Sequence, residues 1–200
     1  MIYAIIGGAV LLVVVLVVVF YGVAVYNRLV QLRERTKNAW AQIDVQLLRR
    51  HDLIPNLVET AKGYLDHERE TFEAVMEARA KATQAQVNLG GDPTNGSAMR
   101  DLAASEGMLT GALGKLMAVV EAYPDLKADQ NMQQLSEELT TTENKVAFAR
   151  QAFNDSTNTY NAYKQTFPPV LFARMLNFQD AEYFEVKDEA QRASPKVSFS

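Results

Sequence analysis

An uncharged apolar run occupies the chain from Ile2 to Val25 and consists mostly of Val, Ile and Leu. A helix needs about 20 apolar residues to cross a bilayer core of about 30 Å, so this run is long enough to span a membrane. A secretory signal peptide is the alternative, but it would carry a basic segment ahead of an apolar core of about 7–15 residues. No Lys or Arg precedes this longer run. The sequence therefore predicts a retained transmembrane anchor over residues 1–27.

Positive charge lies on only one side of the anchor. Basic residues follow it closely at Arg28, Arg33, Arg35 and Lys37, whereas the short N-terminal end has no basic side chain. Under the positive-inside rule, Lys and Arg beside a span stay in the cytoplasm. We therefore predict a single-pass protein of the cell membrane, with its N-terminus outside and its helical domain cytoplasmic. An extracytoplasmic domain is the alternative.

Composition limits the functions open to the rest of the chain. The 24 Asp and Glu outnumber the 20 Lys and Arg and give a formal charge of −4, which argues against a broad nucleic-acid-binding face. The absence of cysteine excludes disulfides, thiolate nucleophiles and cysteine-based zinc sites. The expected partners are the lipid bilayer, further copies of the chain and unidentified proteins, and not nucleic acid.

After the anchor, apolar side chains recur every three or four residues, which is the pattern of an amphipathic helix. No Gly or Pro lies between Gly22 and Pro55, so the anchor helix is expected to continue into the domain. Pro55 predicts a kink or break near residues 51–55, because proline removes a hydrogen bond inside a helix. Asp52 is then the expected N-cap of a second helix that ends near Leu89. The first apolar stripe comprises Leu29, Leu32, Thr36, Ala39, Trp40, Ile43 and Leu47.

Turn-forming residues mark the later boundaries. Segment 89–97 is the predicted loop, since it combines glycines with Asp-Pro and Asn-Gly pairs. Ser97 is the predicted cap of a third helix, which has Tyr123 as its last inward residue and ends at Pro124. A fourth helix is expected to begin near Asp125 with apolar or small residues at heptad spacing. Its stripe comprises Met132, Leu135, Leu139, Thr142, Val146, Ala149, Phe153, Ser156, Tyr160, Tyr163 and Phe167.

Short connections between long helices favour antiparallel neighbours. The predicted fold class is therefore all-α, with a single N-terminal transmembrane helix followed by an up-and-down four-helix bundle of long antiparallel helices over residues 28–186. A free coiled coil is the alternative. The apolar tail 168–186 is expected to pack on the bundle or lie on the membrane, because so many apolar side chains rarely stay exposed. Residues 187–200 are polar and are predicted to be disordered.

Several short segments together resemble the LemA family of bacterial membrane proteins. They are Tyr26-Asn27 with Leu29-Val30, AWAQIDVQL at 39–47, RRHDLIPNLV at 49–58, AYPDLK at 122–127, ENKVAFAR at 143–150, Tyr160-Asn161, Phe167-Pro168 and Tyr183-Phe184. The resemblance covers nearly all of the chain after the anchor. It implies one N-terminal anchor and a four-helix domain, and it supplies no catalytic residues to carry over.

The densest polar cluster is Arg49, Arg50, His51 and Asp52, at the predicted break. One interpretation is a ligand or partner site that uses backbone groups freed by the break. The other is an ion-pair network that holds neighbouring helices together. We favour the structural interpretation, because structural ion pairs are commoner than functional sites.

No pattern for catalysis or metal binding is found in the sequence. His51 and His67 are sixteen positions apart, whereas a helical metal pair prefers a spacing of four. The paired Glu-x-x-His elements of di-iron bundles are absent, and no serine lies in a G-x-S-x-G turn. We therefore predict no catalytic residues, no cofactor and no metal site.

These observations favour a membrane-anchored scaffold or interaction protein that associates with itself. Val30, Val45 and Leu48 lie off the main stripe of the first helix, so a single bundle is not expected to bury them completely. The alternative is a sensor or adaptor that relays a change through the anchor helix. An enzyme is the least favoured function.

Overall fold

A computed structural model describes residues 1–65 and 67–186, and in these ranges it contains six α-helices and no strand. This confirms the predicted all-α fold class. The predicted disordered segment 187–200 lies outside the described residues. The helices are α1 (Ile2–Lys62), α2 (Arg69–Leu89), α3 (Gly96–Ala122), α4 (Pro124–Ala128), α5 (Gln130–Gln165) and α6 (Pro169–Met175).

Helix α1 contains both the apolar run and the first helix of the domain without interruption. At 1.5 Å per residue, its 61 residues extend for about 90 Å. Among the described residues, it is the one helix that is long and apolar enough to cross a membrane. Side chains of the apolar run, such as Val14 and Phe20, are largely exposed, as contact with lipid requires. The expected continuation of the anchor into the domain is therefore present.

The predicted helix break near residues 51–55 is wrong, since Pro55 lies inside α1. Proline has no N–H, so the carbonyl of His51, four residues earlier, loses its helical partner. The Nε of Arg79 on α2 donates to that carbonyl at 2.6 Å and replaces the missing bond. Asp52 is consequently an exposed residue within a helix and not an N-cap.

We expect Arg79→Met to destabilise the protein by about 1–3 kcal/mol, because it leaves the buried His51 carbonyl without a donor. In a Pro55→Ala background, the N–H of the new alanine can donate to the His51 carbonyl. Arg79→Met is therefore expected to cost less stability in this background. A double-mutant cycle on unfolding free energies measures this coupling. The exposed Arg69→Met is the control and should act equally in both backgrounds. Equal costs of Arg79→Met in both backgrounds would contradict the proposed compensation.

Several helix ends differ from the predictions because other polar groups form the caps. Asn95 and not Ser97 caps α3, since its side chain accepts the Ala98 N–H at 3.3 Å. Pro124 starts the short helix α4, and Tyr123 before it is exposed. The last long helix begins five residues later than predicted, where Asp129 accepts the Met132 N–H at 2.9 Å. This bond, with a second from the Tyr64 hydroxyl, holds the pKa of Asp129 below its usual range.

The core consists of three clusters along α1, which we call proximal, central and distal in order from the apolar run. Helix α1 passes them from proximal to distal, and α5 passes them in the opposite direction. Helix α2 runs from the distal to the central cluster, and α3 returns. Proximal residues include Val25, Leu29 and Tyr160, central residues include Trp40, Met99 and Phe153, and distal residues include Ile54, Val75, Leu113 and Leu139.

The predicted stripe of α5 includes Tyr160, which is fully buried, but beyond Phe153 the buried face also turns toward Thr157 and Asn161. Thr157 is buried in place of Ser156, and Phe167 is 79% exposed. A straight helix drifts relative to a strict heptad repeat, so the buried face moves round along its length. The shifted face includes Asn161, which packs against the chain that follows α6.

Two asparagines on α5, seven residues apart, hold the tail against the bundle. The Asn161 amide donates to the Ala181 carbonyl at 2.8 Å and accepts the Ala181 N–H at 3.0 Å. Asn154 makes the same two bonds with Phe184, at 3.3 and 3.0 Å. Phe184 is thereby placed in the central cluster, fully buried. Of the two expected locations for the tail, packing on the bundle is observed for this segment.

Candidate functional site

The four consecutive residues of the predicted cluster point in different directions, because each residue of an α-helix is rotated about 100° from the last. Arg50 and His51 are buried in the bundle. Arg49 lies at the surface and pairs with Glu138 of α5. Asp52 is exposed. The structure therefore divides the cluster into an inner pair and two surface residues.

Arg50 connects α1 to both α3 and α5. Its Nη1 donates to Oε2 of Glu106 at 2.9 Å, and its Nη2 donates to Thr110 at 2.8 Å and to Glu143 at 3.1 Å. The Arg50 side chain is 5% exposed and that of Glu106 is 1% exposed. A guanidinium has five donors in a rigid fork, so one side chain can fix the relative positions of three helices.

His51 connects the same carboxylate to α2. Its Nε2 lies 2.7 Å from Oε1 of Glu106, and its Nδ1 lies 3.3 Å from the hydroxyl of Thr83. Each ring nitrogen therefore has a partner on a different helix. Together with the Arg79 bond to the His51 carbonyl, these contacts bring α1, α2 and α3 together at one level.

Glu106 is the central residue of the site, and sequence reasoning missed it. It occupies the gap between Leu102 and Leu109 in the apolar stripe of α3, at spacings of four and three. A carboxylate at such a position is almost never fully buried unless it is paired. The position of Glu106 within an apolar stripe could have identified the site, because a buried carboxylate requires a cationic partner elsewhere in the chain.

Arg50 supplies a permanent positive charge, and the carboxylates of Glu106 and Glu143 both lie within hydrogen-bonding distance of its guanidinium. The second oxygen of Glu106 contacts His51. No group of three or more His, Cys, Asp or Glu side chains suited to a metal ion occurs among the residues that the structure describes.

The inner pair is separated from the solvent. His51 and Glu106 are each 1% exposed. Five grooves on the described surface are lined by other residues. A His–Glu pair can act as an acid–base dyad only where a substrate can reach it. The geometry accordingly fits the structural interpretation of the cluster.

Known proteins provide an independent comparison. Magnetosome protein MamQ of Magnetospirillum gryphiswaldense is 27% identical over 177 residues, which cover 81% of this chain and 65% of MamQ. Magnetosome protein MamQ 1 of Paramagnetospirillum magneticum is 28% identical over 180 residues, with the same coverage. Protein LemA of Metamycoplasma hominis is 24% identical over 172 residues, covering 85% of this chain and 74% of that protein.

This chain thus spans 65% of the length of its magnetosome relatives. A family model described as the LemA family matches residues 39–199. The match begins beside Trp40 and includes the buried Arg50, His51 and Glu106. Since it covers more than half of the sequence, the chain belongs to the LemA family.

Proposed function

We propose that this protein is a membrane-anchored scaffold that holds a rigid helical surface next to the bilayer for copies of itself or for other proteins. The observation that carries the proposal is the unbroken helix α1, which links the apolar run directly to the core of the domain. A flexible linker would let the domain tumble, whereas a continuous helix limits its distance and tilt. No catalytic role is proposed, since the buried His51–Glu106 pair has a structural explanation.

We further propose that the helical domain is cytoplasmic, on the basis of Arg28, Arg33, Arg35 and Lys37 beside the span. The chain has no cysteine, so Ser97→Cys introduces a single exposed thiol. We expect a membrane-impermeant maleimide to label this variant only after the cells are permeabilised. Strong labelling of intact cells would instead place the domain outside the cytoplasm.

We propose that copies associate through the outer side of α1, where Val45 is 60% and Leu48 is 54% exposed, one turn apart. Confinement to the membrane raises the effective concentration of such surfaces and favours weak lateral contacts. We expect Val45→Cys to form covalent dimers when native membranes are oxidised. Val87→Cys is the matched control, since this valine of α2 is 68% exposed. Only monomer in the Val45→Cys membranes would remove the proposed interface.

The second candidate function is a sensor or adaptor, and the same helix favours it. Arg50 and His51 belong to α1, so a rotation or shift of the span would act directly on the buried network. A relay requires a domain with two arrangements that the signal biases. If a substitution within the span changes how accessible the Thr83→Cys thiol is to a thiol reagent, the result would support this function over a passive scaffold.

A further inference from the structure

Helix α6 packs against α1 at the point where the apolar run ends. The Phe172 ring lies so close to Gly22 that a Cβ at that position would be 2.8 Å from one of its carbons. The rings of Tyr21 and Phe172 are 5.9 Å apart, and those of Tyr26 and Phe178 are 6.0 Å apart. The absence of a side chain at Gly22 is therefore what allows α6 to approach the span closely.

The outer face of α6 is apolar and exposed. Leu171 is 57% exposed and Met175 is 73% exposed, and they lie one turn apart on the same face. Phe167, just before the helix, is 79% exposed. Ala173 and Pro169 on the opposite face are buried. The helix therefore has apolar residues on both its inner and its outer face.

The level of α6 along α1 corresponds to the edge of a bilayer. About 20 residues of helix cross the hydrocarbon core, so a span beginning at Ile2 reaches the boundary near Tyr21. The first charged residue, Arg28, lies about 10 Å further along the helix axis. Phe172 contacts the helix within this interval, and Leu171 and Met175 are within one turn of it. Tyr rings such as those of Tyr21 and Tyr26 are typical of membrane boundaries.

The charges around α6 suit a lipid surface. Arg174 of α6 and Arg28 of α1 are exposed, and α6 contains no acidic residue. The Arg33 guanidinium lies 5.5 Å from the centre of the Phe178 ring. The nearby carboxylate of Asp180 is paired with Lys164. Basic side chains beside an exposed apolar face are characteristic of helices that lie in the membrane interface.

We propose that α6 is an interfacial membrane-binding helix, in which Phe167, Leu171 and Met175 insert into the lipid at the boundary around the span. This inference rests on the membrane anchoring in the proposed function. The span then enters the bilayer along the α1 axis, and α6 contacts the bilayer beside that axis. Two contacts restrict the tilt of the bundle relative to the bilayer, so the domain keeps a defined orientation to the membrane surface.

The test uses full-length single-cysteine variants labelled with an environment-sensitive fluorophore and reconstituted in phosphatidylcholine–phosphatidylglycerol vesicles. Nitroxide lipids quench either at the headgroup or within the acyl chains. We expect the headgroup quencher to reduce the fluorescence of the label at Met175→Cys by about half, because an interfacial helix buries its apolar face about 5–10 Å deep. Phe148→Cys on α5 is the matched control, since Phe148 is 74% exposed, close to the 73% of Met175. This control should show no quenching by either lipid.

Val14→Cys, within the span, tests the anchoring separately and should be quenched most by the acyl-chain nitroxide. Quenching at Val14 without quenching at Met175 would overturn the interfacial helix and leave the anchor intact, whereas no quenching at Val14 would overturn the anchoring itself. Adding Leu171→Asp to the Met175→Cys variant should abolish the quenching, since a charge is placed in the interface. A Met175→Cys signal that is shielded from water but unaffected by both quenchers would assign the face to a second copy and overturn the proposal.

Discussion

Glu106→Gln is expected to destabilise the folded domain by about 3–5 kcal/mol, the usual cost of removing one partner from a buried ion pair. The glutamine keeps the shape of the side chain but removes the negative charge between Arg50 and His51. Arg50 would then retain only Glu143, whose side chain is 42% exposed and whose attraction is screened by water. The large cost comes from the buried guanidinium left without its main counter-charge.

Trp40 provides the measurement, because it is the only tryptophan in the chain and is 1% exposed in the central cluster. Its fluorescence during urea unfolding of the detergent-solubilised protein reports the free energy of unfolding. Glu77→Gln is the control, since Glu77 pairs with Lys81 at the surface of α2. Exposed pairs of this kind contribute little to stability, because water screens their attraction. Equal small effects of both variants would contradict a buried, energetically coupled network.

A triple variant tests whether the charges of this network are needed for stability. Replacing a whole buried ion-pair network by apolar residues of similar volume is often neutral or stabilising. We therefore expect Arg50→Met combined with His51→Leu and Glu106→Met to recover most of the stability that Glu106→Gln loses. Recovery would show that the charged network is not required for the net stability of the domain.

Phe153→Ala is expected to cost about 3–5 kcal/mol, as for other large side chains deleted from a core. Phe153 is fully buried, and its ring meets that of Trp40 edge to face at 5.5 Å. Trp40 meets Phe184 of the tail at the same distance. Removal of the Phe153 ring would leave a cavity in the central cluster, which the rings of Trp40 and Phe184 would fill only in part.

Phe148→Ala is the matched control on the same helix, because Phe148 is 74% exposed. Substitutions at such surface positions usually change stability by less than about 0.5 kcal/mol. Thermal unfolding followed by circular dichroism and by Trp40 fluorescence measures both variants. Similar melting temperatures for the two variants would mean that the central cluster is not a packed core.

Helix periodicity was sufficient to predict the stripe of α1 from Leu29 to Leu47 and that of α5 as far as Phe153. The direction of a side chain on a helix follows from its position in the sequence, so a local pattern identifies the buried face. Beyond Phe153 the pattern predicts Tyr160, which is fully buried, but it misses Thr157 and Asn161, which are also buried. The burial of Asn161 depends on where Ala181 of the tail returns to the bundle, which no pattern within α5 contains.

The candidate site was predicted only in part for the same reason. Arg50 and His51 were recognised as polar residues in a dense cluster, but their main partner, Glu106, is 56 and 55 positions away. Pro55 indicates a helix break locally, but α1 continues through it because Arg79 of another helix supplies the missing hydrogen bond. Donors that come from distant parts of the chain can override a local helix breaker.

Local patterns in the amino-acid order therefore account for the membrane-length apolar helix, the helical class and the loop near Gly90, where a left-handed φ of 58° ends α2. Each of these features depends on the properties of neighbouring residues. The passage of α1 through Pro55, the burial of Glu106 and the attachment of the tail by Asn154 and Asn161 arose only in the folded chain. A buried polar group requires a partner, and helix packing decides which distant residue provides it.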